Sequence, residues 1–460
     1  MKNQKIFNYG IAATLSITSA YPVKAMEKEN KPNIIIIYTD DLGYGDLSCY
    51  GNPVIRTPHL DKLASEGIRL TSFYVAASTS TPSRASLLTG RYPVRAGLPH
   101  VIFPNEDRGL SKEEVTIAEA LKDLSYKTMC VGKWHLGQTR DEFLPINHGF
   151  DHYYGLITSN DMMKPWVQTD IPLHLYRDNE PTDEYPVDQS TLTVRYTHEA
   201  CRFIAESKNE PFFLYLAHNM PHVPLYVSEK SKGRSLAGLY GDVIEEIDES
   251  VGAILQTLKE HHLEKNTIII FASDNGPWIN MPERMFKENR VKPWHAGSPG
   301  LLREGKTTSY EGGFRVPGIL RWPEKIPPSQ VSSQVVTNMD LFPTLIRAAG
   351  GEIPADRIID GEDVMPILVG NKGYQRENDF FYIQGTRLEA IRSSEWKLRV
   401  SPYRGYGKPV NDKLLPELFN LSLDPSEQYN RANEFPDLVD SLLQKMKDLT
   451  IPGLDKKFIH

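Results

Sequence analysis

Five short polar clusters carry the side chains that could do chemistry. Asn33-Ile-Ile-Ile-Ile-Tyr-Thr39 runs into Asp40-Asp41, and Tyr126 to Gly132 runs into Lys133-Trp-His135. Pro211 to Ala217 leads to His218-Asn-Met-Pro-His222, and Thr267 to Ser273 runs into Asp274-Asn275. Three acids and an amide make an oxygen donor set that suits a hard divalent cation, Ca2+ or Mg2+. Zinc favours sets rich in imidazole and thiolate. The fifth cluster is Ser80-Thr-Pro-Ser-Arg84. A helix starting near Pro82 would place Ser80 where unpaired amides and the helix dipole favour an anion. Arg84 would add a bidentate donor for a tetrahedral oxyanion. Any one Asp after a strand reads as a turn or cap residue; joint arrival at four run ends points to a site.

The apolar runs do not alternate, which is the pattern of strands buried on both faces in a parallel sheet. Helical patterns lie between them. Thr57-Pro58 to Glu66-Gly67 has cap, first-turn proline and closing glycine in place. Thr116 with Glu119 makes a capping box for a helix through Leu124. Val243, Ile247, Val251, Ile254 and Leu258 form one stripe in Tyr240–Leu258. This alternation predicts an α/β fold, a large doubly wound, mostly parallel sheet flanked by helices. In such a sheet the ligand site lies outside the carboxyl ends of the strands, where the clusters fall. After Leu368-Val-Gly370 the pattern changes to short strand-like pieces at Phe380–Gln384, Glu389–Arg392, Lys397–Val400 and Glu417–Asn420. A helix with Leu438, Leu442 and Leu449 on one side follows. The expected organisation is a leader over 1–25, an α/β domain over 26–370 and a C-terminal antiparallel sheet plus helix over 371–460.

A chain of 460 residues can bury one large core and a smaller appended unit. With 40% apolar and 24% charged residues and no repeat, collagen, coiled coil, disordered tail and disulfide scaffold are excluded. Lys2 and Lys5, the mostly apolar Ile11–Ala20 and the small residues around Lys24-Ala25 read as a signal peptide cleaved near Ala25. That predicts a periplasmic or secreted protein. No later stretch approaches ~20 apolar residues, so no membrane span is expected. Loss of Lys2, Lys5 and Lys24 takes the formal charge from −7 to −10. So acidic a chain binds nucleic acid poorly, and an anionic substrate needs a local basic pocket. Cys49, Cys130 and Cys201 form no disulfide framework. Trp278 and Trp294, between the Asp274 cluster and Lys306, are either core plugs or sugar-stacking faces.

Ser80-Thr-Pro-Ser-Arg84-Ala-Ser-Leu-Leu-Thr-Gly90-Arg91 resembles the Cys/Ser-x-Pro-Ser-Arg-x-x-x-Leu-Thr-Gly-Arg signature of the formylglycine-dependent sulfatases. Tyr38-Thr-Asp-Asp-Leu-Gly-Tyr-Gly-Asp46, Gly132-Lys-Trp-His-Leu-Gly137, Ser273-Asp-Asn-Gly-Pro277 and Gly305-Lys-Thr-Thr-Ser-Tyr-Glu-Gly-Gly313 are similar to that family's blocks, in its order. The resemblance runs from about Lys31 to Asp424 and is strongest to the arylsulfatase A and N-acetylgalactosamine-6-sulfatase branch, within the alkaline phosphatase superfamily.

The resemblance implies that Asp40, Asp41, Asp274 and Asn275 bind one Ca2+, with Mg2+ an alternative. It implies that Ser80 is oxidised to formylglycine (3-oxoalanine), whose hydrate is the nucleophile. Arg84, Lys133, Lys306 and His222 would surround the sulfate, with His135 beside the nucleophile. One hydroxyl of the hydrate would attack sulfur while His222 or Lys306 protonates the leaving oxygen; His135 would then deprotonate the second, which expels sulfate. Ser159 and Asn160 match substrate-contact positions, although Asn160 departs from a histidine often found there. The implied substrate is a sulfated carbohydrate, attacked from its end. In this family the serine form is matured by an anaerobic radical enzyme, which makes a serine-type sulfatase-maturing enzyme an expected partner. Two rivals stay open: a phosphodiesterase or phosphonate hydrolase on the same fold, and a glycan-binding protein with unconverted Ser80.

Overall fold

The structure, a computed structural model, describes Met1 and residues 31–405, 408–409 and 415–459. The expected signal peptide therefore lies outside the described residues, Met1 apart. Strand β1 (Asn33–Thr39) is buried along its whole length. Its side chains alternate between two cores. Ile34, Ile36 and Tyr38 face one, and Ile35 and Ile37 face the other. A strand apolar on both faces is stable only between two layers of helices. The first core takes side chains from helices α2 (Ser80–Thr89) and α3 (Ile117–Asp123). The second is filled by α1 (Pro58–Ser65), α4 (Leu192–Glu206) and α5 (Gly238–Glu260).

The other strands are β2 (Ile68–Tyr74), β3 (Lys127–Gly132), β4 (His152–Leu156), β5 (Leu175–Arg177), β6 (Glu180–Pro181), β7 (Phe212–Ala217), β8 (Thr267–Ser273), β9 (Arg315–Arg321), β10 (Gln330–Ser332) and β11 (Val336–Thr337). They form one sheet in the order β10-β2-β9-β8-β1-β7-β3-β4-β5-β6, with β11 on β2. The four strands that end in the polar clusters are neighbours, β8-β1-β7-β3, and all pair in parallel. Thr39 lies opposite Ser273 and Gly132 opposite Ala217, so the clusters leave the sheet side by side. Towards the edges, β9 pairs antiparallel with both β8 and β2, and β5 antiparallel with β4. The sheet is thus mixed but mostly parallel.

Local signals explain the helix ends. Thr116 accepts from the Glu119 amide and Glu119 reaches back, closing the expected capping box on α3. Thr57 occupies the cap position of α1, but its hydroxyl bonds Asp61 Oδ1 at 3.2 Å and Ser48 Oγ at 2.9 Å rather than capping. Helix α2 begins at Ser80, earlier than the Pro82 start read from the sequence, because Thr79 is extended and the first turn is closed by the Ser83 amide donating to the Thr79 carbonyl (3.1 Å), with the proline inside it.

The C-terminal part forms a separate four-stranded antiparallel sheet from Phe380–Gln384, Arg387–Ser393, Trp396–Arg399 and Glu417–Asn420. The helix Pro436–Asp448 covers it with Val439, Leu442 and Met446. Leu449, expected on that stripe, falls just past the last turn. The small sheet shares its core with Tyr74 and Ala76 near the end of β2 and with Phe314, and Lys31–His460 make one compact unit.

Candidate active site

Three of the clusters are placed by backbone bonds that run one step beyond their strands. The Asp40 amide donates to the Met220 carbonyl (3.2 Å), the Lys133 amide to Ala217 (2.7 Å) and the Asp274 amide to Thr39 (3.1 Å). The chain then turns sharply. Asp41 and His135 both take left-handed backbone, with φ of 64° and 60°. For residues with a Cβ this costs about 1–2 kcal/mol each, and such outliers concentrate where geometry serves a site. Lys306 arrives on a loop tied to two others. Its amide donates to Pro277 (2.9 Å), Thr307 donates to Ser78 (3.0 Å) and Gly276 to Gly313 (3.1 Å). A Cβ at Gly276 would sit 1.7 Å from the Gly312 carbonyl oxygen, so only glycine lets these loops meet.

The side chains converge. Ser80 Oγ donates to Asp40 Oδ1 at 3.1 Å and accepts from Lys133 Nζ at 3.2 Å. Lys133 Nζ also reaches Asp40 Oδ2 at 2.5 Å and Ser159 Oγ at 3.2 Å. Arg84 donates twice to Asp274 Oδ2, at 2.8 and 3.1 Å, and its other terminal nitrogen meets the Tyr215 hydroxyl at 3.3 Å. Asp274 Oδ1 accepts from the Asp41 amide at 3.1 Å. Asp41 Oδ1 accepts from Lys306 Nζ at 2.6 Å and from Asn275 Nδ2 at 2.7 Å. His222 Nδ1 donates to the Val223 carbonyl, leaving the Nε2 of its neutral ring to face Asp41 Oδ2 at 3.6 Å. His135 Nε2 donates to the Ile102 carbonyl at 3.0 Å, so its Nδ1 is the lone-pair nitrogen of a neutral ring. Asn160 Nδ2 is spent on the carbonyls of His222 and Pro224, at 3.2 and 3.0 Å. All twelve of these predicted positions lie in this one buried constellation.

Burial opposes ionisation of Asp40, yet Lys133, Arg84 and Lys306 together hold its carboxyl below the usual range. Burial and the neighbouring Asp40 and Asp274 push Asp41 up to about 7 in spite of Lys306. Burial lowers Lys133, whereas attraction to Asp41, Asp40 and Asp274 overcomes burial and raises Lys306. Both histidines are pushed well down, by burial first and then by nearby lysines.

Asp41 Oδ2 and Asn275 Oδ1 are buried with no hydrogen-bond partner. Oxygens of Asp40 and Asp41 and a nitrogen of His222 lie within 4.8 Å of one another. Orphaned oxygens in a buried cluster of acids are costly unless a cation compensates them. The donor set, mostly oxygen, fits one hard divalent cation.

Sequence reading missed four contributors. The Ile102 carbonyl orients His135, and a backbone carbonyl leaves no trace in residue type. Tyr215 sits inside an apolar run and reads as core. Asp161 lies in a turn and its partner Arg284 (3.3 Å) in the short 3-10 helix Glu283–Asn289, and neither gives a readable period. Of the two tryptophans, Trp278 is buried against His222, with ring centroids 5.3 Å apart, and Trp294 is 72% exposed.

The family model described as Sulfatase matches residues 32–351, and one described as N-sulphoglucosamine sulphohydrolase, C-terminal, matches 305–451. N-acetylgalactosamine-6-sulfatase of Rattus norvegicus is 35% identical, over 95% of this chain and 90% of its own. Arylsulfatase A of Homo sapiens is 35% identical, over 91% and 87%. A solved sulfatase structure from Pseudoalteromonas sp. superposes with a TM-score of 0.79 at 30% identity, covering 91% of this chain and 89% of that one. Over most of its length this chain, with its four strand ends, its hydroxyl at a helix start and its buried cations, matches proteins of one activity: the chain belongs to the sulfatase family and is a sulfuric ester hydrolase.

Proposed function

We propose that the enzyme removes sulfate from the ends of sulfated carbohydrates, using formylglycine made from Ser80 and one divalent cation. The observation that carries this is the setting of Ser80 Oγ, on the first turn of α2 and between Asp40 and Lys133. Asp40, Asp41, Asp274 and Asn275 would hold the cation, Ca2+ or Mg2+, which supplies Lewis-acid neutralisation of sulfate oxygens. Converting Ser80 supplies an aldehyde hydrate, whose second hydroxyl lets sulfate be expelled where serine would stop at a stable ester. Arg84, Lys133, Lys306 and His222 neutralise the remaining oxygen charge as it grows in the transition state. Lys306 gives a proton to the departing sugar oxygen, or His222 does once its Nε2, a lone pair in the neutral ring, has taken one up; His135 Nδ1 takes one to release sulfate. Ser159 fixes Lys133, and Asn160 shapes the substrate side.

The carbohydrate class follows the name of the N-acetylgalactosamine-6-sulfatase relative. The leader over 1–25 would send the chain to the periplasm or outside. A serine-type maturing enzyme would act on it first, and 26–370 and 371–460 would be its catalytic and C-terminal parts. Sulfate release from a panel of sulfated monosaccharides, compared with the matching phosphate esters, tests the reaction. Cleavage of the sulfates is expected; preference for the phosphates sinks the reading. Mass spectrometry of the Ser80 peptide should show loss of two hydrogens in active preparations. Repeated turnover by protein with wholly unmodified Ser80 would favour a phosphatase-like mechanism instead.

A further inference from the structure

We propose that Asp161 and Arg284 are the sugar-recognition edge of the pocket. Asp161 accepts a hydrogen bond from a hydroxyl of the ring that bears the scissile sulfate, and Arg284 donates to that ring or its neighbouring substituent. The proposal rests on the reading that the substrate is a sulfated carbohydrate.

Asp161 is buried, its side chain 2% exposed. Its Oδ2 meets Arg284, and its Oδ1 has no hydrogen-bond partner. A buried carboxylate oxygen without a donor is expensive to keep. In a structural ion pair both oxygens would be supplied; here one is left for a group the protein does not provide. Position supports the same role. Ser159, two residues earlier, bonds Lys133, and Asn160 bonds the His222 carbonyl, so the segment runs between two sulfate-side residues.

Trp278 orders the other side. Lys306 Nζ lies 4.5 Å from its ring centroid and the His222 ring 5.3 Å, while the Arg284 guanidinium lies over it at 5.6 Å. Lys306 and His222 are nearly fully buried, whereas the Arg284 side chain is 32% exposed. Arg284 therefore stands outward of the two groups that would protonate the leaving oxygen, where the sugar must lie. Its hold is firm: one terminal nitrogen bonds both Asp161 Oδ2 and the Trp166 carbonyl, at 3.3 and 3.1 Å. A rigid carboxylate beside an anchored guanidinium is a polar pair that reads hydroxyl arrangement, and a ligand lacking the hydroxyl leaves it unpaired.

The test compares two substrates in matured enzyme: the sulfated monosaccharide the wild type cleaves fastest, and 4-nitrophenyl sulfate, which has no sugar hydroxyls. For Asp161→Asn, Asp161→Ala and Arg284→Ala, kcat/KM on the sugar relative to the aryl ester should fall about 10- to 100-fold, the size of one lost charged hydrogen bond. In the wild type, deleting one ring hydroxyl from the sugar should cause a similar drop that Asp161→Asn does not deepen. Arg284, being partly exposed, keeps the comparison available should the Asp161 variants fold poorly. Equal loss on both substrates means a structural pair and overturns the proposal. An unchanged ratio overturns it too. Wild-type cleavage of the aryl ester but of no sugar sulfate overturns it together with the carbohydrate reading.

Discussion

Asp274 does two jobs that a single substitution can separate. It is a proposed cation ligand, and it is also the acceptor for two of the Arg84 hydrogen bonds, with Arg84 fully buried. Removing one partner of such a pair leaves an uncompensated charge and costs about 3–5 kcal/mol. Asp274→Ala should therefore lower unfolding free energy by that amount even in excess chelator, measured by chemical denaturation. Chelating the wild type should abolish sulfate release and lower Tm, because a ligand bound only to the folded state is lost. Full activity in excess chelator rules the cation out. Asp40, Asp41, Lys133, His135, His222, Asp274 and Asn275 were legible because they follow apolar runs, where a charge has no packing reason to be; Ser80 and Arg84 showed as a helix start, and Lys306, Ser159 and Asn160 only through the family resemblance. Asp161 and Arg284 were not, since a turn and a short 3-10 helix leave no period to break.

At the scale of elements, the short helix α6 (Glu311–Phe314) links the Lys306 loop to the C-terminal sheet. Lys397 Nζ sits between Glu311 and Glu427, at 3.0 and 2.7 Å, with every side chain buried. The Tyr382 and Tyr74 hydroxyls also donate to Glu311, at 2.7 and 2.5 Å. Burial works against the Glu311 charge, but Lys397, Arg315 and Arg392 hold its carboxyl down at about 2. Lys397→Met should cost about 3–5 kcal/mol by stranding buried carboxylates; a change below about 1 kcal/mol in denaturant melts would contradict this. Two other buried groups set the acid limit. Burial pushes His148 and His218 down to about 4 from an ordinary 6.5. The folded state binds fewer protons than the unfolded chain, so their contribution is complete above about pH 6.5 and lost as pH falls towards 4, up to about 3 kcal/mol each. His148→Gln or His218→Gln should flatten the fall of Tm between those pH values; an equally steep fall would exclude them. The four core strands could be read because burial on both faces leaves an unbroken apolar run. The short edge strands β5, β6, β10 and β11 could not, because two or three residues give no period and their pairing is decided by tertiary context.

The whole molecule closes over its own reactive residue. Ser80 is 2% exposed and the rest of α2 is buried as well. The maturing enzyme proposed above would have to hold this segment in its own cleft, so it would act only on a chain not yet folded. The central sheet cannot close early, because β8 lies beside β1 and Arg84 bonds an acid 190 residues further on. At synthesis rates of about 5–20 residues per second, that separation gives about 10–40 s between the emergence of the two. On that proposal, conversion and folding would run as a race. Enzyme activity per molecule would then be a kinetic quantity, set by translation speed and chaperone holding as much as by the side chains of the pocket. Slowing elongation after Ser80 should raise the converted fraction seen by mass spectrometry, and adding the converter to folded, unconverted protein should give none. A variant selected purely for rapid folding would gain yield and lose specific activity.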